Sequence, residues 1–279
     1  MTTASINAGT KMGKETAQNI TRCLKELHLP AIRECYYQQA EGARRESLSY
    51  EEYLLELVER ECDARLQNRI ARLLRQSRLP LEKTLESFER NRLPHKINAQ
   101  VNALLDGSFL DRAENIMAFG NPGSGKTHLI CAIGQELIHK GRRVLYIPCS
   151  LLVQNLLIAK RDLKLPRALK QLSNYDALII DDIGYVQHSR EEMEVLFTLL
   201  ADRYERGTVM ITSNLPFSQW ERIFKDPMTT AAAIDRLVHH SIILELNLSS
   251  YRLEQSKKSK SKKVQIVNNQ SETETIEVN

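Results

Sequence analysis

Apolar residues recur at helical spacing through roughly the first 80 positions and afterwards gather into short runs separated by further helices. The front part predicts three helices. Residues 16–29 form the first, stopped at Pro30; residues 31–43 form the second; the third starts at Ser49, where Glu52 completes a capping box, and runs to about Ser77. Residues 1–13 are small and polar and are expected to be mobile. The third helix carries Leu54, Val58, Cys62, Leu66, Ile70 and Leu74 at intervals of four. Each such step turns about 40° on the helix, so the stripe winds and must break or meet different neighbours along its length.

Beyond residue 80 the pattern changes. Pro80, Pro94 and the polar run Glu89-Arg90-Asn91-Arg92 predict a connector over 81–96, and a helix follows over 97–105, ended by Asp106-Gly107. Five apolar runs then read as strands: 116–119, 144–148, 175–182, 208–214 and 242–246. Helices between them are expected over 126–139, 151–160, 164–172, 190–206 and 228–240. Strands alternating with helices in this way predict an α/β fold with a parallel five-stranded sheet, preceded by a small all-α N-terminal domain. The expected organisation is a helical domain over 1–80, a linker over 81–96, a nucleotide domain over 97–254 and a disordered basic and polar tail over 255–279, which opens on Ser-Lys-Lys-Ser-Lys-Ser-Lys-Lys.

Composition narrows the class. A chain of 279 residues has room for one sizeable α/β core and a smaller domain. No apolar run approaches the length of about 20 residues that a membrane helix needs, and the first residues are too polar for a signal peptide, so a cytoplasmic protein without membrane contact is expected. The five cysteines are scattered without metal-binding spacing and read as packing residues. A net charge of +4 is too small to name a partner; only its distribution can.

The chemistry begins at the first strand, which breaks into Gly120-Asn121-Pro122-Gly123-Ser124-Gly125-Lys126-Thr127-His128. Strand, glycine loop, then Gly-Lys-Thr opening a helix is the P-loop in its confirming context. The glycines turn the backbone N–H groups inward around a phosphate chain, and the helix presents its positive end to the same anion. Lys126 would reach the β- and γ-phosphates of ATP, and the Thr127 hydroxyl would ligate Mg²⁺.

Downstream, the strand over 175–182 delivers Asp181 and Asp182 to the carboxyl edge of the sheet. Asp181 would hold Mg²⁺ through water, and Asp182 would orient the attacking water. Asn214, at the tip of the fourth strand, can touch the γ-phosphate or that water, while Thr212 and Ser213 can equally be strand-end caps. Arg236 is either an arginine finger offered to a neighbouring subunit's ATP or a surface arginine paired with Asp235 or Glu245. His239 and His240 read as a helix end, not a metal site.

Two basic surfaces are candidates for phosphate-backbone contact. One is the insert carrying Lys160, Arg161, Lys164, Arg167 and Lys170 against a single acid, Asp162. The other is the row Arg65, Arg69, Arg72 and Arg75. For each the alternative is a solvated face, and interleaved Glu56, Glu59, Glu61 and Asp63 favour it in the first half of the third helix.

Together the motifs resemble the AAA+ ATPases of the IstB/DnaC-like group, the helper ATPases of insertion-sequence transposition and the related helicase loaders. The resemblance covers about residues 85–253. It rests on the P-loop string through Leu129, on Leu-Ile-Ile-Asp-Asp-Ile-Gly-Tyr, Thr-Ser-Asn-Leu-Pro-Phe-Ser-Gln-Trp and Ile-Asp-Arg-Leu-Val-His-His, and on Ser-Tyr-Arg-Leu. It implies that Asn214 is the sensor 1 residue, Arg236 the arginine finger and Arg252 an arginine that reads the γ-phosphate. It also implies that the basic insert lines DNA. Two departures stand out: Asp182 replaces the glutamate usual across AAA+ proteins, and no helical lid is expected after Leu246. The implied function is an ATPase that assembles on double-stranded DNA as a homo-oligomer, with ATP at subunit interfaces, and helps a partner transposase. A replicative helicase loader is the alternative within the fold. A P-loop small-molecule kinase is the alternative outside it, but the acceptor pocket and arginine-rich lid it needs have no counterpart in the sequence.

Overall fold

The computed structural model describes residues 3–184, 189–220 and 227–251, with side chains from residue 15 onward except 227–230 and 233. Arg252, the basic tail and the question of a lid beyond Tyr251 lie outside the described residues. The chain divides into two compact units, Met1–Arg72 and Leu73–Asn279, with the division falling inside the third helix.

The first unit contains α1 (Thr3–Glu26), α2 (Pro30–Glu46) and most of α3 (Tyr50–Ser77). Helix α1 begins well before the expected residue 16; the small residues at its start carry no proline, so the helix runs on into the stretch expected to be mobile. The α3 capping box forms as expected, with Glu52 N–H donating to Ser49 Oγ at 3.2 Å and Ser49 N–H to the Glu52 carboxylate at 2.8 Å.

The apolar stripe of α3 does not form the packing face of this unit. Leu54, Val58, Cys62 and Leu66 are exposed, while the buried line runs one position earlier, through Leu57 and Glu61. Glu61 explains the shift. Its carboxylate accepts the Ala31 and Ile32 N–H groups at 2.9 and 3.3 Å and so caps the first turn of α2, where no residue before the helix does so. Burial alone would raise its pKa; the bonds from Arg65, Ile32 and Ala31 outweigh that and hold the carboxyl below its ordinary range.

In the second unit, α4 (His95–Leu104) and the short α5 (Ser108–Asp111) precede β1 (Asn115–Phe119). Then come α6 (Lys126–His139), β2 (Val144–Pro148), α7 (Cys149–Arg161), α8 (Leu165–Leu172) and β3 (Ala177–Asp181). The order closes with α9 (Arg190–Arg203), β4 (Thr208–Ser213), α10 (Pro227–Val238) and β5 (Ser241–Glu245). All pairings in the five-stranded sheet are parallel, in the order β2-β3-β4-β1-β5. Strand β1 lies between β4 and β5, the point where the winding reverses, so the loop that follows it opens at the carboxyl edge where ligands of such sheets bind. The middle strands are buried and apolar at their centres, with polar residues such as Asn115, Thr208, Thr212 and Ser213 confined to their ends, because helices cover both faces.

Two side chains fix the sheet's surroundings. Arg203 of α9 is buried and donates to the carbonyls of Leu172, Tyr175, Asp176 and Thr208 at 3.0–3.2 Å. It joins the end of the insert to the amino edge of β3 and β4, and burial depresses its pKa to about 10. At the opposite edge Trp220 is fully buried, donates to Leu215 O at 3.1 Å and packs with Phe217 against Phe119, the residue before the P-loop.

Candidate nucleotide site

Strand β1 holds the P-loop's entry and α6 its exit. Gly123 has φ +81°, and a Cβ there would collide with Ser250 of the segment after β5; Gly120 likewise leaves no room for a side chain against the Leu246 carbonyl. That segment crosses the loop, with Leu246 N–H donating to Phe119 O at 2.7 Å and Tyr251 N–H to Gly123 O at 3.0 Å. Lys126, largely buried, donates from Nζ to Gly120 O at 2.7 Å and Asn121 O at 2.9 Å, so the loop's own carbonyls hold its charge over the cradle. The Ser124 hydroxyl is buried with no hydrogen-bond partner among the described residues, as fits a loop shaped for an oxygen-rich anion.

The two sequence-predicted metal groups meet. Thr127 Oγ1 donates to Asp181 Oδ1 at 2.8 Å. Thr212 Oγ1 donates to the same oxygen at 2.6 Å and Tyr146 OH to Oδ2 at 2.8 Å, so Asp181 is held by three hydroxyls from α6, β4 and β2. Burial first, and then the bond to Asp181, push the Tyr146 phenol well above its ordinary pKa, which keeps it a proton donor. A hydroxyl beside a carboxylate is a hard-oxygen donor pair of the kind Mg²⁺ takes.

Asp182 lies just past the strand in a left-handed conformation, φ +64°, with its N–H donating to Thr212 Oγ1 at 2.8 Å. Burial and the neighbouring Asp181 charge raise its pKa, and Lys126 opposes them. Asn214 closes against Gly184, and its Oδ1 is buried without a partner among the described residues. An acceptor left open there could take a hydrogen bond from water or ligand.

The segment expected as a connector lies along α6. Gln135 donates to the carbonyls of Pro80 and Lys83 at 3.2 and 3.0 Å, and His128 Nε2 is within 3.0 Å of Thr84 O. Phe88 meets the His128 ring edge-on, and Arg92 stands over the Tyr251 ring at 5.3 Å. With Leu248 and residues 123–127 of the P-loop they line a cleft of about 220 Å³, below the roughly 300–1,000 Å³ of whole-ligand pockets. Sequence reasoning missed Phe88, Arg92, Tyr146 and Tyr251. The P-loop's spacing says nothing about what packs beside it; the signals were the aromatic residue at 88 within a charged run and Tyr251 within the Ser-Tyr-Arg-Leu motif.

Arg236, half-buried on α10, stacks over the Phe197 ring of α9 at 4.6 Å, and its Nη1 has no partner among the described residues. On the insert, Lys160 pairs with Glu194 at 2.9 Å and Lys164 with Asp162 at 3.2 Å, while Arg161, Arg167 and Lys170 are exposed. In the first unit, Arg65 bonds Glu61 at 2.9 Å and the His28 carbonyl at 2.7 Å, so it closes two helix ends; Arg69 and Arg72 are exposed. His239 and His240 follow the end of α10, and their rings meet at 4.3 Å instead of diverging; with Glu205 they form an exposed cluster at the sheet's amino edge.

A family model described as IstB-like ATP binding protein matches residues 22–259. An insertion sequence ATP-binding protein of Sinorhizobium fredii is 46% identical over 230 residues, 82% of this chain and 77% of that protein. The insertion sequence IS21 ATP-binding protein of Pseudomonas aeruginosa is 39% identical over 218 residues, 78% and 82% of the two chains. Among solved structures, AMPPCP-bound DnaA from Aquifex aeolicus aligns with TM-score 0.50 at 19% identity, over 66% of this chain and 56% of that one, a likeness of fold. With the P-loop, the parallel sheet and the Thr127–Asp181 pair in place, the chain belongs to the family of IstB-like ATP-binding proteins and has the AAA+ fold.

Proposed function

We propose that this protein hydrolyses ATP, assembles on duplex DNA when ATP bridges its subunits, and presents that DNA to a partner transposase. The observation that carries the reading is the cradle itself: Lys126, Thr127 and Asp181 converge at the carboxyl edge of β1 and β3, in a chain whose relatives are named as insertion-sequence proteins. Thr127 and Asp181 would hold Mg²⁺, whose charge would neutralise the phosphates. Lys126 would leave the loop carbonyls for the β- and γ-phosphates. Asp182, turned out of line with the strand, would orient water and accept its proton, and Asn214 would supply the open amide oxygen beside it. Arg252 would read the γ-phosphate, as the family resemblance implies.

Arg236 would complete the site of an adjoining copy, where its uncommitted N–H meets the acceptor it lacks at home. The exposed cations of the insert, Arg161, Lys164, Arg167 and Lys170, are the first choice for DNA phosphates, and Arg69 and Arg72 the second. The domain limits proposed for this activity remain 1–80, 81–96, 97–254 and 255–279, in a cytoplasmic protein; among the described residues no helix is long and apolar enough to cross a membrane. The insertion-sequence relatives favour a transposase over a replicative helicase as partner.

The test is duplex affinity against salt with ATP present. If four insert cations contact phosphates, log K should fall against log salt with a slope near −3.6, that is about −0.9 per contact. Charge reversal at Arg167 and Lys170 should flatten that slope by about two contacts. A slope near zero in the wild-type protein overturns the DNA reading.

A further inference from the structure

The turn between α7 and α8 carries a residue whose conformation and exposure the subunit itself does not explain. Helix α7 ends in a paired cap: Lys164 N–H donates to Ala159 O at 2.7 Å and Leu163 N–H to Lys160 O at 3.1 Å. The cap needs a left-handed residue at 163, a position glycine usually fills because a Cβ is strained there. This chain has leucine, with φ +58°. The other non-glycine residues with positive φ are His28, Ser47, Arg78, Ala113, Asp182 and Glu205, so among the described residues Leu163 is the one large aliphatic side chain held this way.

Nor is the strain offset by burial, since Leu163 is 90% exposed. Arg161, Lys164 and Arg167 are exposed around it, against the single acid Asp162. Protein interfaces bury clusters of apolar residues and deplete charge at their centre. Leu163 is the most exposed aliphatic side chain among the described residues, against 57% for Ile158 of α7, and one such side chain projecting among cations fits the other arrangement, in which charges hold a phosphate backbone and an apolar wedge separates stacked bases.

We propose that Leu163 is such a wedge: it enters a base step of duplex DNA from the minor groove while the flanking cations hold the phosphates, and so kinks the DNA. The inference rests on the proposed DNA-facing role of the insert and goes beyond it by naming the residue that deforms the duplex. It also names a substrate preference, for steps that unstack easily, such as TA and CA/TG.

The experiment uses the full chain with ATP, at low salt, and duplexes carrying 2-aminopurine, whose fluorescence rises when the base unstacks. Wild-type protein should bind and raise the fluorescence several-fold. Leu163→Gly suits the left-handed position, so it should fold, bind ATP and keep most of the duplex affinity while giving no rise. Leu163→Met, which restores an aliphatic wedge without an aromatic ring to stack on the probe, should give the rise again.

Wild-type binding without a rise, or a full rise from Leu163→Gly, overturns the wedge and leaves DNA binding standing. Absence of wild-type binding overturns both. If Leu163→Gly unstacks DNA normally but no longer stimulates a transposase, the wedge is overturned and the residue belongs to a protein contact.

Discussion

Asp181 takes hydrogen bonds from three hydroxyls, and the one from Tyr146 reaches an oxygen the two threonines do not touch. That bond fixes the carboxylate's rotation, and with it the lone pairs offered toward Thr127. Tyr146→Phe removes the bond while keeping the ring. Loss of an outer partner typically costs about 10–100-fold in metal affinity or activity. We expect that loss in Mn²⁺ affinity of the ATP complex, read by electron paramagnetic resonance, with ATP affinity without metal unchanged and a loss of about 1–3 kcal/mol in stability that leaves the protein folded. Asp182 is raised above the ordinary aspartate value of 3.8 by burial and by Asp181. As a base it must be ionised, so turnover should fall as pH drops through that raised value, earlier than for an ordinary carboxylate. A kcat/KM profile would show it, and Asp182→Asn should remove both the activity and the limb.

The elements of the second unit were legible because their signals are local. Four apolar residues before a glycine loop, or four before two acids, read as strands of a covered parallel sheet once the P-loop sets their context. Along α3 the stripe at intervals of four breaks as its spacing predicts, but which face packs is decided elsewhere in the chain. The visible stripe, Leu54 to Leu66, is exposed, because the carboxylate at 61 is needed at the open end of α2 and turns the helix to bring it there. Nothing local in the sequence singles out Arg203, which is buried among four carbonyls contributed by three segments. Arg203→Met fills the space but leaves those carbonyls without donors, so it should destabilise the protein by about 3 kcal/mol or more in denaturant unfolding. A change under about 0.5 kcal/mol, the usual surface value, would mean that water reaches the site.

For the whole molecule, the central claim is that one copy's cradle is completed by the next copy's guanidinium. Arg236 on α10 is braced by Phe197, and α10 is tied to the sheet by Asn115, whose side chain donates to Leu237 O at 3.3 Å and accepts Val209 N–H at 2.9 Å. In the proposed mechanism these contacts would hold the finger in a fixed place relative to the sheet that carries the P-loop. The most direct measurement is turnover in mixtures of two inactive variants on duplex DNA. Lys126→Ala lacks the phosphate cradle and Arg236→Ala lacks the finger, and each alone should lose about 10³-fold or more. Mixed in equal amounts they should recover a measurable fraction of wild-type turnover, because a Lys126→Ala copy can lend its Arg236 to an intact cradle next door. Mixtures no faster than the sum of the separate variants, or Arg236→Ala alone as fast as the wild type, would contradict the account.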